Sequence, residues 1–547
     1  MNSFVKKIFK EQKRAVALIF LLLAAFTAGC SGTASDTQQP GTGQSANDKQ
    51  LVVAVSTDVG VDQLDAASYK GLIQAYPMIY DGLVEYGEKG EILPSLAESW
   101  DISEDGKVYT FHLRKGVKFS DGTDFNAEAA KFSMERWYGD PANSSLNVSN
   151  ALKSVEAVDP YTLKLTFDKA YYPFLSELTY PRPVRIISPS AVEPKGDVKG
   201  KFVKPIGTGA WMVESYTKDQ QAVLVPNPNY WSKKPNLSKI VLKVIPDPQS
   251  RVMALKSGEV DFSGGTMGKI PLESIPTIKN SDTLKMESTS STTSYFLVFN
   301  YQNPLLQDIH VRKAINLALN KKSMVDNLLG GVGKPAQGLF QFTVPYVTEA
   351  NNQWYEYDQA QAKDLLEKAG YKDTNGDGIL EKDGKPLELN LVLQNQEYPE
   401  WKTMCEFTQA QLQEIGIKLN LQMLESNAYY DALWTNRQYD LIIYRTYSDS
   451  WNPHGFLMGL FHKTKDGAAV AWSDSELEKL IDQVMPLMDE NERQKKYDEI
   501  FALMYQKAVC APLYYPDEIF VFNKKVSGFA FGTNSYSPVK WEELDVK

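Results

Sequence analysis

Cysteine is nearly absent from this chain of 547 residues: Cys30, Cys405 and Cys510 are all there is. Three thiols with no CxxC spacing exclude a disulfide framework, and they leave Cys405 and Cys510 as core thiols or a single bridge. Histidine is equally scarce, four in the whole chain, and no HExxH zinc helix occurs. No GxSxG nucleophile elbow is present. The one glycine-rich stretch, GGVGKPA at 330–336, places Pro335 after Lys334 and offers no GxxxxGK[ST] frame, so it is not a phosphate loop. Positive charge is also in deficit, 58 Lys and Arg against 68 Asp and Glu, which argues against nucleic acid as a partner. Beyond the first 30 residues no apolar run approaches the ~20 residues of a spanning helix. An enzyme built on a metal, a thiol or an activated serine has no foothold here.

What is present is ordinary globular material, 43% hydrophobic and 23% charged. The length exceeds the ~250–300 residues at which single cores stop growing, so two or three domains are expected. Residues 1–29 stand apart. Lys6, Lys7, Lys10, Lys13 and Arg14 precede AVALIFLLLAAF, and small residues follow, the pattern of a secretory signal. The next residues, TAGC, resemble a bacterial lipobox, with Thr27 where leucine is usual, so Cys30 is expected to carry a lipid. Residues 30–50 hold no large apolar side chain after the cysteine until Leu51 and read as a flexible tether, with a mean reach of roughly 25 Å. Removing the five positive and one negative charges of the signal takes the formal charge from -10 to -14.

From residue 51 onward, short strand patterns alternate with amphipathic helices and no internal repeat appears, which points to mixed α/β lobes. LVVAVS (51–56) reads as a buried strand. KVYTFHLR (107–114) alternates Tyr109, Phe111 and Leu113 with Thr110, His112 and Arg114, a half-buried strand that leaves His112 in solvent. Asp-Gly pairs on either side of it, in SEDG and FSDG, signal antiparallel hairpins. DPYTLKLTF (159–167) repeats the strand pattern. In DIHVRKAINLALN, Val311, Ala314, Ile315, Ala318 and Leu319 fall at helical spacing, leaving His310 and Lys313 near the polar side. DTNGDGILEKDG (373–384) starts like a calcium loop with Asp373, Asn375 and Asp377, but Gly384 stands where a bidentate glutamate is required, so a polar turn is the reading.

AESWDISEDGKVYTFHLRKGVKFSDGTDFNAE (97–128) resembles the dipeptide, oligopeptide and nickel class of bacterial solute-binding proteins, family 5, which serve ABC importers. IYDGL (79–83), IGTGAW (206–211), NPNYW (227–231), IPDPQSRVMALKSGEVDF (245–262) and VRKAINLALNKKSMVDNLL (311–329) follow in the family's order. The resemblance implies an α/β fold: a two-lobed periplasmic-binding-protein type II (cluster C) clamp with an extra inserted subdomain. Lobe I would comprise 51–93, 205–295 and 519–547, the inserted subdomain 94–204, and lobe II 296–518. A ligand buried between the lobes favours the closed form because it touches both only there.

Within the class, AYYPFLSELTYPRPVRIISPS (170–190) is most similar to the nickel-binding branch, whose corresponding run supplies a cleft arginine; Arg182 is the match. A guanidinium grips carboxylates in bidentate fashion, and metal chelators are rich in them. YRTYSDSWNPHGF (444–456) resembles an RTW and DPHAFL pattern of that branch. By this resemblance His454 ligates the metal, while Tyr447 and Trp451 line the pocket; a chelator fills the other coordination positions. The inserted subdomain departs from the branch: GDPANSSLNVSN (139–150) has neither its arginine nor its tryptophan. Asn452 replaces the usual aspartate, and near Ile73 a methionine is missing, with Tyr69 beside it. Asp449 follows the peptide-binding members, which carry an aspartate four positions before the same proline to hold a peptide's ammonium group. The resemblance therefore implies a binder with no enzymatic activity and no prosthetic group. It is expected as a monomer, lipid-anchored on the extracytoplasmic face of the cell membrane and partnered with ABC permease subunits. Its cargo would be nickel or another transition metal in a small amino-acid-like chelate, with a di- or oligopeptide as the alternative.

Overall fold

The strand Gln50–Val55 shows why LVVAV carries no alternation. It pairs in parallel with Lys239–Val244 on one side and with Phe262–Gly264 on the other, and Leu51, Val53, Ala54 and Val55 are fully buried. A parallel strand covered on both faces reads as one apolar run. The computed structural model in which this is seen describes residues 49–547, apart from 89, 141–142, 144–147, 149–150, 448–452, 464–466 and 468. The signal, Cys30 and nearly all of the tether lie outside the described residues. No helix among those described is long and apolar enough to cross a membrane.

Three sheets organise the unit Asn47–Lys547. The first has seven strands in the order Trp211–Thr217, Gln221–Pro226, Lys239–Val244, Gln50–Val55, Phe262–Gly264, Asp517–Asn523 and Leu284–Ser290. Its sixth strand comes from near the end of the chain. The second has six strands: Lys334–Pro335, Cys510–Tyr515, Tyr295–Phe299, Leu441–Arg445, Glu388–Leu393 and Lys418–Met423. All five residues of Tyr295–Phe299 are buried at its centre. The chain passes from the first sheet to the second through Ser291–Ser294 and returns at Pro516, so two adjacent crossings join the halves. Such paired crossings are where a clamp can bend.

The third sheet is antiparallel, in the order Ala97–Ile102, Val108–Leu113, Thr162–Phe167 and Leu152–Asp159. The alternation in 107–114 is realised: Tyr109, Phe111 and Leu113 point into the core while His112 points out and meets Asp101 at 2.8 Å. SEDG closes the hairpin between the first two strands. The second Asp-Gly pair only turns the chain, through a single bridge between Lys118 and Asp124. Phe174 packs edge-on against Tyr109, Phe111 and Phe167, with ring centroids 4.8, 6.1 and 4.8 Å away. Burying one such ring contributes ~1.5–3 kcal/mol. The helix Ala127–Trp137 covers this sheet, started by Asn126, whose side chain accepts from the Ala129 N–H at 3.0 Å. One hydrophobic core runs through the third sheet and the first, and a separate one fills the six-stranded half.

The helix expected from DIHVRKAINLALN spans Ile309–Ala318, with His310 partly exposed. In the calcium-like stretch, Asp373 accepts from the Gly376 and Gly378 N–H groups at 2.6 and 3.0 Å and Asp377 from Ile379 at 2.8 Å. The carboxylates of Asp373, Asp377 and Glu381 converge within 4.8 Å, but these backbone donors already occupy the first two. Asp383 and Gly384 then make the tight turn of a two-residue hairpin, with φ of 54° and 72°. Cys405 and Cys510 are buried and free, and burial pushes both thiols up.

Candidate ligand-binding cleft

Arg182 follows the short helix Phe174–Glu177 in the segment that leaves the third sheet. Its Nη1 donates to the carbonyls of Lys70 and Gly71, both at 2.7 Å, and the guanidinium lies 5.6 Å from the centre of the Tyr76 ring. Burial lowers its pKa, and Tyr76, Tyr536 and Tyr69 lie within electrostatic reach. No carboxylate among the described residues pairs with it. Tyr69 is 41% exposed at the edge of this group.

Tyr536 also lies within electrostatic reach of a second guanidinium, Arg445, which stands at the end of the strand Leu441–Arg445. Thr446 fixes it in place. Its Oγ1 accepts from the Ser294 N–H, and its own N–H donates to the Ser294 carbonyl, each at 2.8 Å, so the strand end is tied to one of the crossings. The Arg445 Nε donates to the Tyr398 hydroxyl and Nη1 to the Thr446 carbonyl at 3.1 Å. Like Arg182, it has no carboxylate partner among the described residues. Arg445 stands inside YRTYSDSWNPHGF, but nothing in the sequence marks it as a cleft residue. That both cations lack an acidic partner among the described residues is a fact of the assembled fold.

His454 has a partner that the sequence did not suggest. It sits near the start of the helix Pro453–Phe461, fully buried, and its Nε2 lies 3.0 Å from Glu177 Oε1. The Tyr171 hydroxyl donates to the same oxygen at 2.7 Å, and the Val148 N–H donates to Oε2 at 2.9 Å. In the neutral imidazole, a carboxylate accepting from Nε2 leaves Nδ1 as the lone-pair nitrogen, and Nδ1 has no hydrogen-bond partner among the described residues. The rings of Tyr171 and Tyr172 stand edge-on to the imidazole at 6.4 and 5.7 Å. Tyr447 packs against Phe456 at 5.1 Å. Its hydroxyl would lie 2.5 Å from a side chain at Gly459, so glycine there admits it. Asp449 and Trp451 lie outside the described residues.

At the crossings a cavity of about 40 Å3 is lined by residues from both halves. Lys269 from the seven-stranded half donates to Glu400 of the six-stranded half at 2.8 Å and to the Tyr295 hydroxyl at 2.5 Å, and Tyr295 donates to Glu400 at 2.8 Å. Glu518, on the returning strand, accepts among the described residues only a long 3.5 Å contact from Ser291 Oγ. Burial holds its carboxyl at about 7 against an ordinary 4.5, with Lys269 and Ser291 pulling back. Gly264 allows that strand to approach: a side chain there would lie 2.4 Å from the Ile519 carbonyl. Leu272 and Glu400 also border a wider groove between the halves, lined by Pro246–Gln249 on one side and Leu328–Gly330 and Asn395–Glu397 on the other. None of Lys269, Glu400 or Glu518 has a sequence signature. An isolated charge in a loop or at a strand start is indistinguishable from a solvated one.

Comparison with known proteins gives the arrangement its context. Residues 91–468 match the model of the bacterial extracellular solute-binding proteins, family 5. The nickel-binding periplasmic protein of Escherichia coli (strain K12) is 34% identical over 472 residues, 86% of this chain and 88% of that protein. The oligopeptide-binding protein AppA of Bacillus subtilis (strain 168) is 27% identical over 566 residues, 97% of this chain and 99% of that one. The crystal structure of NikA from Brucella suis in complex with Fe(III)-EDTA superposes with a TM-score of 0.84 at 33% identity, covering 91% of this chain and 100% of that one.

Proposed function

This chain belongs to the bacterial extracellular solute-binding proteins of family 5, and from that premise we propose that it captures a carboxylate-rich transition-metal chelate, with nickel as the leading metal, for an ABC importer. Family 5 proteins of this kind are solute binders of ABC transporters and not enzymes. The observation that carries the choice of ligand is the pair Arg182 and Arg445, two guanidiniums within electrostatic reach of Tyr536 and with no acidic partner among the described residues. A guanidinium that the protein pairs with neutral acceptors keeps donors and charge for an anionic ligand, and a chelate with several carboxylates supplies one to each. Similarity to a nickel-binding protein and to a structure holding an EDTA chelate supports the same reading.

The role of His454 as metal ligand is part of this proposal, and it would act through Nδ1, the nitrogen that Glu177 leaves bare. A di- or oligopeptide is the second reading, favoured by the similarity to AppA along nearly the whole chain; there Arg182 would take the peptide carboxylate and Asp449 its ammonium group. Titration calorimetry with nickel–histidine and with short peptides separates the two. Under the chelate reading the metal complex binds and Arg182→Ala weakens it by about 10- to 100-fold, the worth of hydrogen bonds to a charged group. Arg182→Lys restores little, because an ammonium lacks the planar fork. Purification from the native host with a bound peptide and no metal would sink the chelate reading.

A further inference from the structure

The cavity at the crossings holds two ionisable groups, Arg445 and Glu518, with no oppositely charged hydrogen-bond partner among the described residues. Lys269 and Glu400 satisfy each other at 2.8 Å, and Asp517 accepts from the Gly333 N–H at 3.3 Å. Arg445 faces the same space with no acid, and Glu518 faces it with a single 3.5 Å contact from Ser291. A buried carboxyl left without strong donors is costly, and Lys269, the cation that acts on it, is already engaged by Glu400 and Tyr295. The neighbouring strand residues Ile519, Phe520 and Val521 are buried apolar groups.

We propose that Glu518 is a ligand-binding residue that receives an ammonium group carried by the solute, the cationic counterpart to the carboxylates held by the two arginines. The size of the space decides what fits. About 40 Å3 compares with the ~10–15 Å3 that one water occupies by the same measure, so the cavity takes one small charged end group and not a whole residue of a peptide. An ammonium group matches Glu518 in sign and size. It would displace water and make the charge-assisted hydrogen bonds that Ser291 is too distant to make. Its position at the crossings matters as well: Ser291 opens one crossing and Glu518 follows the other, so an ammonium held there contacts the bend of the clamp. This rests on the chelate reading and narrows it, from any carboxylate-rich complex to one that also bears an uncoordinated amine.

A matched pair of probes tests the assignment: nickel nitrilotriacetate, and nickel Nα,Nα-bis(carboxymethyl)lysine, the same chelate with a butylammonium arm. Calorimetry on the mature protein should show the lysine complex binding about tenfold tighter, the scale of one hydrogen bond between charged groups. Glu518→Gln should bring the ratio of the two affinities to about one, and Glu518→Asp, which keeps the charge, should retain part of it. Equal binding of the two complexes by the wild-type protein overturns the inference and leaves the chelate reading standing. A preference that survives Glu518→Gln overturns it too, since the ammonium is then held elsewhere. Failure to bind either complex removes the chelate reading and this inference with it.

Discussion

His454→Ala should destabilise the protein before any ligand is added. The substitution leaves Glu177, 1% exposed, with two donors where it had three: Tyr171 at 2.7 Å and Val148 at 2.9 Å remain, and the 3.0 Å contact to the imidazole is lost. A hydrogen bond to a charged group contributes ~1.5–3 kcal/mol. The two edge-on contacts of the ring with Tyr171 and Tyr172 add ~1 kcal/mol. A total near ~3 kcal/mol follows. With an unfolding entropy of ~2.1 cal/mol/K per residue, the roughly 500 residues of the unit Asn47–Lys547 give ~1 kcal/mol/K, and Tm falls by ~3 °C if that unit melts together. Scanning calorimetry on ligand-free protein reads the shift. Glu177→Gln and the double variant complete a cycle, which should show coupling of about 1.5 kcal/mol or more, as expected for groups in direct contact. A Tm unchanged within about 1 °C, or strictly additive single and double variants, would refute the buried pair. The pair also explains what a binding assay alone would misread: lost nickel affinity in His454→Ala is evidence for ligation only if Glu177→Gln, which spares the histidine, binds normally.

Two further outcomes are expected. Glu518 keeps its proton up to about 7 in the folded protein against 4.5 ordinarily, so the native state binds more protons than the unfolded chain across that window. Its contribution is therefore fully present below about 4.5 and is lost as pH rises through about 7. Glu518→Gln should flatten this part of the Tm–pH profile of the ligand-free protein, and an unchanged slope would show that other groups set it. For the tether, Cys30→Ala should release the protein from the membrane fraction into the soluble one on cell fractionation, whereas a protein that stays with the membranes would contradict anchoring through that residue.

Much of the local structure was legible because its causes are local. Tyr109, Phe111 and Leu113 reveal their strand through a period of two, and Val311, Ala314, Ile315 and Ala318 their helix through a period of 3.6, since those spacings follow from backbone geometry. The sheet orders were not legible in the same way. Gln50–Val55 lies between Lys239–Val244 and Phe262–Gly264, and Asp517–Asn523 returns to the same sheet; nothing within these segments encodes partners so far along the chain. Only the family resemblance pointed to such a return.

The cleft divides along the same line. By itself the sequence determined that this is a chain with too few cysteines and histidines for common metal or thiol chemistry, alternating α/β segments, and an arginine at 182 in a recognisable run. Tertiary structure alone decided what each charge meets. Glu177 and His454 are 277 positions apart and make a buried pair; Lys269 and Glu400 are 131 apart and join the halves. Arg182, Arg445 and Glu518 are left without such partners among the described residues. Whether a charge is neutralised by the protein or kept for a solute depends on distances of a few ångströms between groups remote in sequence, because a hydrogen bond to a charge is made or lost over that range.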